Sequence, residues 1–412
     1  MLLDDPVRAA TLLLGVAFVL RVLWLNLPSG ALIFDEQYYV NAARIILGWP
    51  VGQTAHYAGS PAGFDPNHEH PPLGKLLIAG SMAVFGDNGI GWRLPSVIAG
   101  MVALTTVYRI VRDSDQSAWL ATLVVALVAF DNLTFVHARI GTLDMLVLAP
   151  MLVGSWLAMK RRWLLAGLTI GIALLIKITA LYAIGAILLW VLLTSGPDWW
   201  RRKRIPFEDV AGPAAFLLFA FALALGGLGV LDARFSTVVN PVEHIKQMVG
   251  YGANLAAPVK AGFCPGLDSR PWEWLFNDCQ IQYMRQDVSV SEAGKVISSV
   301  AKVDFRGAMN PILVGAIPLA AMFTMWYAVR TRNRLAIWAV AWGAMNYLPY
   351  VALALLTPRI MYLYYVLPLI PAVAVAVALL LTRAGLPRPI RWAFLAAYLV
   401  GFVAYFPFRQ VP

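Results

Sequence analysis

Two polar motifs near the amino terminus contain side chains that could do chemistry together. Residues 34–39 read FDEQYY and residues 67–77 read NHEHPPLGKLL, both in the first polar stretch after a single apolar segment. The adjacent carboxylates of Asp35 and Glu36 supply a proton acceptor at a membrane border. Lys75, in the second motif, supplies a cation that can pair with a phosphate. We therefore expect acid–base chemistry on a phosphate-bearing substrate beside the lipid.

Asp35 is the candidate general base. Such a group must reach the acceptor hydroxyl and contributes a factor of about 10² to 10⁴ in rate. Glu36 is expected to orient Asp35 or to pair with a nearby arginine. A lone Asp after an apolar segment would be an ordinary loop residue, but here two carboxylates are adjacent and aromatic residues flank them. Tyr38 and Tyr39 are therefore further pocket candidates.

Four cations lie near the predicted external ends of apolar segments, where a lipid phosphate would be. Charges at such depth are costly unless they have a partner or a function, and anchoring at the interface is the alternative explanation. Several donors converging on one phosphate would stabilise it as it leaves, without requiring a metal cofactor, although a divalent ion is left open. The predicted phosphate-binding residues are Lys75, Arg93, Arg139 and Arg359.

Two further polar groups allow more than one interpretation. His68 and His70 have a spacing that does not place both on one helical face, and no third ligand is obvious. A hydrogen-bonding turn is therefore favoured over a zinc site, no metal site is predicted, and His70 is kept as a pocket candidate. Arg139 and Asp144 would form a structural salt bridge on the simplest interpretation, or would both join the pocket.

The composition indicates that lipid surrounds most of the chain. It has 412 residues, of which 60% are hydrophobic and 13% charged. The net charge of +10 would suggest nucleic acid only if it formed a patch on a soluble domain, whereas the basic residues form short clusters between apolar runs. Half of the 32 basic residues fall on one side of the predicted membrane, which the positive-inside rule identifies as cytoplasmic.

The sequence predicts one all-α polytopic membrane domain over residues 1–412, with the amino terminus cytoplasmic. About 20 apolar residues per crossing give about eleven transmembrane helices. External loop 31–89 is expected to be catalytic and to hold interfacial helices near 35–47 and 72–85. External loop 232–306 is expected to face donor or acceptor. The predicted spans are 8–27, 90–110, 117–135, 141–159, 163–177, 178–194, 210–231, 308–329, 334–356, 359–381 and 390–408.

The second loop holds both cysteines, Cys264 and Cys279. An extracytoplasmic position favours a disulfide between them, whereas a reducing compartment would leave two thiols.

Six segments, in order, resemble the protein O-mannosyltransferases, a family of the GT-C glycosyltransferase class. The resemblance implies that Asp35 is the base, that Glu36 pairs with an arginine such as Arg93, and that Trp272 and Tyr364 lie at the pocket. Tyr364 stands where the family has a histidine. The matching segments are FDE at 34–36, HPPLGK at 70–75, WRLP at 92–95, FDN, AR and LD between 130 and 144, residues 167–177, and SRPWEW at 269–274.

The resemblance also implies a reaction. The donor would be dolichyl- or polyprenyl-phosphate mannose, the acceptor a Ser or Thr hydroxyl of a protein or peptide, and the sugar would be transferred with inversion at the outer face of the plasma membrane. Membrane lipid is an expected partner, nucleic acid is not, and the oligomeric state stays open. An aminoarabinose-transferase-like enzyme is the first alternative. A transporter is the second, although the charged candidates cluster at one membrane face and no internal repeat is seen.

Overall fold

The computed structural model describes residues 5–115, 117–255, 268–292 and 295–409, and within these ranges the chain is mostly helical. Short 3₁₀ turns at 178–180 and 363–369 lead into α9 and α15. The helices are α1 (Pro6–Val22), α2 (Glu36–Ile46), α3 (Leu73–Phe85), α4 (Gly89–Asp115), α5 (Ala118–Ala129), α6 (Asn132–His137), α7 (Leu143–Met159), α8 (Trp163–Leu174), α9 (Leu181–Arg202), α10 (Phe207–Phe235), α11 (Pro241–Asn254), α12 (Pro271–Trp274), α13 (Pro311–Thr331), α14 (Arg334–Leu356), α15 (Ile370–Arg383) and α16 (Arg388–Ala404).

The apolar helices have the lengths that a membrane domain requires. Of the described helices, 6 are long and apolar enough to cross a membrane: α4, α10, α13, α14, and α9 and α15 with their 3₁₀ turns. Shorter apolar helices include α3, α5, α7 and α8. Each predicted span falls on a helix, so the fold class is confirmed, while the number of eleven crossings stays a prediction. The predicted boundary at Lys177 is also present, because that residue takes an extended conformation between α8 and the next turn.

The loop at 31–89 contains both helices that the sequence predicts. Helix α2 buries one face, including Tyr39, Val40 and Ala43. Helix α3 begins directly after Pro72, whose missing backbone N–H is not needed in a first turn. A Cβ at Gly74 would stand 2.5 Å from the Leu143 side chain, so this glycine lets α3 pack closely on α7.

The loop at 232–306 contains elements that were not predicted from the sequence. Helix α11 follows α10, and an antiparallel hairpin joins β1 (Ile281–Glu292) to β2 (Lys295–Gly307), with Ile281 opposite Gly307. The hairpin base is tied to the end of the chain by a backbone hydrogen bond of 2.8 Å from the Asp304 N–H to the Pro407 carbonyl. Cys264 lies outside the described residues, so its pairing with Cys279 stays a prediction.

Buried hydrogen bonds of Asp131 and Asn310 connect α6, the start of α13 and α16. Asp131 caps α6 by accepting from the Thr134 N–H at 2.9 Å, and it accepts from the Asn310 N–H at 2.8 Å. The Asn310 side chain donates to the Tyr398 carbonyl of α16 at 2.9 Å. Because all these groups are buried in an apolar surrounding, each hydrogen bond satisfies a group that would be costly to leave unpaired.

Candidate active site

Asp35 stands at the start of α2 and is partly exposed. Within the described ranges no side chain forms a hydrogen bond or ion pair with its carboxylate. Burial raises the pKa of Asp35 to about 7; the nearby Asp144 carboxylate raises it further and the Lys177 ammonium lowers it. A carboxylate with this pKa and no partner can accept a proton near neutral pH.

The residue before Asp35 has an unusual backbone. Phe34 has a φ of 54°, a left-handed conformation that is rare for a bulky residue. Its ring stacks on Tyr283 of β1 at 4.1 Å and meets Tyr364 edge-on at 5.4 Å. These aromatic contacts hold the strained backbone that presents Asp35, and strain of this kind often lies at functional sites.

Glu36 has a different environment from its neighbour, because it is fully buried against Arg93. Its two carboxylate oxygens lie 2.8 and 2.9 Å from Nε and Nη2 of Arg93. The remaining guanidinium N–H groups donate to the carbonyls of Leu25, Leu27 and Ala31. All five N–H donors of Arg93 are thus used within the protein, which leaves none for the phosphate that it was predicted to bind.

The Glu36 carboxylate also fixes two segments of backbone. It accepts from the N–H groups of Ile33 and Gly141, each at 2.7 Å. A Cβ at Gly141 would stand 2.8 Å from the Trp92 carbonyl, so only glycine permits this approach. Glu36 therefore joins the segment before α2, helix α4 and the turn before α7 at one point.

Lys75 is also fully buried, and its ammonium stabilises a loop. It lies 2.6 Å from the Asp65 carboxylate, donates to the His70 carbonyl at 2.7 Å, and contacts both the carbonyl and the side-chain oxygen of Asn67. These contacts occupy its donors, so the prediction that Lys75 binds the donor phosphate does not fit its geometry.

Arg139 is also engaged by groups inside the fold. It donates to the carbonyls of Leu20 and Leu23 at the end of α1, the latter at 2.6 Å, and its guanidinium lies over the rings of Phe135 and Phe408. The predicted Arg139–Asp144 salt bridge is wrong, because Asp144 pairs with Lys177 instead. Arg139 anchors α1 rather than facing a phosphate.

Asp144 was predicted as a pocket candidate, whereas its partner Lys177 is the residue of the site that sequence reasoning missed. Lys177 Nζ is 2.7 Å from Asp144 Oδ1 and lies 5.7 Å from the centre of the Tyr364 ring. The other Asp144 oxygen is 3.7 Å from His137 Nδ1, and His137 Nε2 is 2.8 Å from the Tyr283 hydroxyl. A lysine in the middle of an apolar stretch was the available signal.

Arg359 is the predicted phosphate-binding residue that keeps its donors available. It is partly buried, and its guanidinium lies against α11, with Nη2 3.6 Å from where a Cβ of Gly252 would stand. It makes no ion pair with any described residue, and its Nε is buried without a hydrogen-bond partner. Its charge reaches His70, whose pKa is lowered well below the usual value by burial and then by Lys177, Lys75 and Arg359.

Of the predicted aromatic pocket residues, Tyr38 and Tyr39 contact histidines of the first loop, whereas Trp272 does not. Tyr39 lies 6.0 Å from His70, and Tyr38 packs over His56 at 4.2 Å. Trp272 is 44% exposed and does not take part in these contacts. Trp274 is the buried ring of that segment, and its Nε1 donates to the Ser269 hydroxyl at 2.8 Å.

The described residues contain no group of three or more His, Cys, Asp or Glu side chains that could hold a metal ion. His68 instead contacts Thr237 and the ring of His244, in a turn as the sequence analysis favoured.

Comparisons with known sequences confirm the resemblance read from the motifs. Residues 69–224 match the family model described as dolichyl-phosphate-mannose-protein mannosyltransferase. A polyprenol-phosphate-mannose–protein mannosyltransferase of Mycobacterium tuberculosis is 38% identical over 125 residues, which are 29% of this chain and 23% of that relative. The enzyme of the same description from Corynebacterium glutamicum is 22% identical over 85% of this chain and 77% of its own length. The chain thus matches about a quarter of the length of the mycobacterial relative.

Solved structures show the same fold over nearly the whole chain. The S. cerevisiae protein O-mannosyltransferase Pmt1-Pmt2 complex bound to the sugar donor matches with a TM-score of 0.66, at 12% identity, over 98% of this chain and 90% of that chain. ArnT from Cupriavidus metallidurans matches with a TM-score of 0.58, at 18% identity, over 95% of this chain and 62% of that chain. At these identities the likeness shows the fold alone, which is the GT-C fold.

The two adjacent carboxylates predict opposite effects on stability. Glu36→Gln removes one charge of a buried pair and leaves Arg93 uncompensated, so we expect a loss of about 3–5 kcal/mol in unfolding free energy. The pKa of folded Asp35, about 7, lies above its ordinary value of 3.8, so this group costs stability progressively as the pH rises from 3.8 to about 7, and the full cost is present at higher pH. Asp35→Asn at pH 8 should therefore unfold at the same or a higher temperature. Thermal unfolding in detergent measures the stability of both variants. Equal destabilisation by Glu36→Gln and Asp35→Asn would contradict a structural role for Glu36 and an unpaired state for Asp35.

Lys75→Met tests the loop role against phosphate binding. Removing the ammonium leaves Asp65 buried without its cation, so we expect a loss of a few kcal/mol and faster proteolysis of the 65–70 segment. Limited proteolysis and thermal unfolding read this out without substrate. If the variant kept wild-type stability and lost only its binding of the sugar donor, the loop role would be contradicted and Lys75 would be assigned to phosphate binding.

Proposed function

On the strength of a GT-C fold and a protein mannosyltransferase match across residues 69–224, we propose that this chain moves mannose from a polyprenyl-phosphate or dolichyl-phosphate carrier to a Ser or Thr hydroxyl of a protein. The transfer takes place at the extracytoplasmic face of the cell membrane and inverts the configuration at the sugar. The single observation that carries the proposal is an unpaired carboxylate with a pKa near neutral, Asp35, close to the charge of Lys177.

Asp35 acts as the general base. The acceptor hydroxyl oxygen forms a bond to C1 of mannose, its proton passes to the Asp35 carboxylate, and the bond between C1 and the phosphate oxygen breaks. A base works best when its pKa is near the working pH, because it is then mostly ionised and still binds the proton strongly. Glu36 positions Asp35 through the backbone that it holds.

Lys177 and Arg359 neutralise the leaving phosphate. Departure of the sugar increases the negative charge on the carrier phosphate, and cations stabilise that change most effectively in a site that excludes water. Arg359 has unused donors, and Lys177 has one carboxylate partner for its three N–H groups. Arg93 and Lys75 use their donors inside the fold, and Arg139 donates through Nη1 and Nη2 to the carbonyls of Leu20 and Leu23. All three are positioning residues in this proposal.

The acceptor is tested directly. Purified protein in lipid nanodiscs is given radiolabelled polyprenyl-phosphate mannose with either a Ser/Thr-rich peptide or a lipid acceptor. We expect label in the peptide. Label only in lipid would favour the aminoarabinose-transferase-like alternative, and loss of labelled donor to the other leaflet without transfer would favour a transporter.

Asp35→Asn is expected to lower kcat/KM by at least about 10²-fold, because it removes general-base catalysis. In the wild type, kcat/KM should rise as the pH increases through about 7, since only ionised Asp35 accepts the proton. Glycosyl transfer measured between pH 5 and 9 checks both results. Full activity in the variant, or a flat pH profile, would contradict the assignment.

Arg359→Gln is expected to weaken use of the donor without unfolding the protein. Loss of one charge-assisted hydrogen bond of about 1.5–3 kcal/mol corresponds to about 10- to 150-fold in kcat/KM. Arg234→Gln is the matched control, because Arg234 is exposed at the end of α10. Equal effects of the two substitutions would indicate general surface charge rather than contact with the phosphate.

A further inference from the structure

A second polar cavity lies far from Asp35. It has a volume of about 410 Å³ and opens between the start of α8, the end of α9 and the start of α14. Tyr350, near the other end of α14, packs against Trp274 and Tyr365, and Tyr365 contacts Tyr364 beside Phe34 and Lys177. Arg334 lies 16 residues earlier on that helix, or about 24 Å along its axis. The cavity is therefore at the opposite end of the bundle from the active site.

One hydrogen-bond donor in this cavity has no partner. Trp190 lines the cavity and is 6% exposed, and its Nε1–H has no acceptor among the described residues. Buried indole N–H groups normally find a partner, because an unpaired buried donor costs about 1–3 kcal/mol. A ligand oxygen in the cavity would supply the missing acceptor.

The cavity also keeps an excess of positive charge after its internal ion pairs are formed. Arg161 pairs with Asp209 at 3.2 Å, and Arg201 lies 3.8 Å from Asp198. Arg332 makes neither an ion pair nor a side-chain hydrogen bond with the described residues. Arg334 donates to the Met159 carbonyl at 3.3 Å, and its guanidinium lies 5.4 Å from the centre of the Trp190 ring.

Glu208 is the lining carboxylate that forms no ion pair within the described chain. Two guanidinium groups thus remain against one carboxylate, beside the free indole donor. This set of groups fits a singly charged anion with several acceptor oxygens.

The neighbouring surface indicates that the anion comes from a membrane lipid. Trp200 and Phe207 are 86% and 84% exposed, and they flank the basic run 201–204. Exposed aromatic rings next to arginine and lysine are typical of the border between lipid tails and headgroups. A cavity at this depth lies within reach of a headgroup phosphate.

We propose that this cavity binds the phosphodiester of a membrane phospholipid in the leaflet opposite the active site. Arg332 and Arg334 contact the phosphate, and Trp190 Nε1–H donates to one of its oxygens. The site is independent of the transfer reaction and ties the ends of α9 and α14 to the lipid surface.

The test measures binding of dioctanoyl phosphatidylglycerol to delipidated full-length protein in detergent, by native mass spectrometry and by titration. Dioctanoylglycerol, which lacks the phosphate, and inorganic phosphate are the comparison ligands. The variants are Arg332→Gln/Arg334→Gln and Trp190→Phe. The matched control is Arg202→Gln/Arg204→Gln, which removes the same charge from the adjacent basic run, outside the cavity lining. Thermal unfolding and gel filtration establish that each variant is folded.

We expect one saturable phosphatidylglycerol site, weakened at least about tenfold in the double cavity variant, weakened less in Trp190→Phe, and unchanged in the control. Equal weakening in the control would mean diffuse attraction and would overturn the proposal. Binding of inorganic phosphate as tight as that of the lipid, or equal binding of dioctanoylglycerol, would also overturn it. If the double variant does not fold, an unchanged affinity of Trp190→Phe for phosphatidylglycerol would overturn the proposal.

Discussion

The buried pair between Glu36 and Arg93 is the interaction on which the rest of the site depends. Two charges are removed from water, which is unfavourable unless each finds enough partners. Here the guanidinium uses every N–H, and the carboxylate accepts two backbone N–H groups in addition. The pair therefore fixes the residues on either side of Asp35 and the turn before α7. Asp35, one position earlier, has no hydrogen-bonding or ion-pair partner for its carboxylate among the described residues.

This arrangement explains why two adjacent carboxylates behave differently. Glu36 is held in a saturated ion pair, whereas burial without a paired cation raises the pKa of Asp35, so that it holds its proton more strongly than an exposed carboxylate. Such groups are unfavourable for folding and are typical of functional sites. The fold thus stabilises the charge of Glu36, whereas the free-energy cost of burying an unpaired carboxylate falls on Asp35, the candidate for proton transfer.

Much of the helical frame could be predicted from the sequence, because apolar length and hydropathy follow directly from residue order. The helices of the first loop were also predictable, from amphipathic spacing in 35–47 and from the proline pair before α3. The hairpin β1–β2 was not, since its alternating residues are polar enough to resemble a loop. Helix α11 is similarly polar, and its buried face depends on contacts with the first loop, such as His244 with the His68 carbonyl at 3.1 Å.

Within the site, the sequence identified charged residues but not which of them were already paired. Lys75, Arg93 and Arg139 look alike in sequence, since each is a cation near a helix end. Their roles depend on carbonyl groups and carboxylates that only the fold brings close, up to 119 positions away for Arg139. Lys177 was overlooked for the opposite reason, because it stood in an apolar segment and was treated as a boundary between spans.

The loops at 31–89 and 232–306 meet around Asp35. The Asp65 N–H donates to the Phe235 carbonyl at 2.6 Å, so the first loop is tied to the end of α10. Tyr283 of the hairpin stacks on Phe34, next to Asp35, and reaches His137 through its hydroxyl. Burial is the largest cause of the raised pKa of Asp35. Because the hairpin ring of Tyr283 covers Phe34, part of the protein that buries Asp35 comes from a segment almost 250 residues away in the chain.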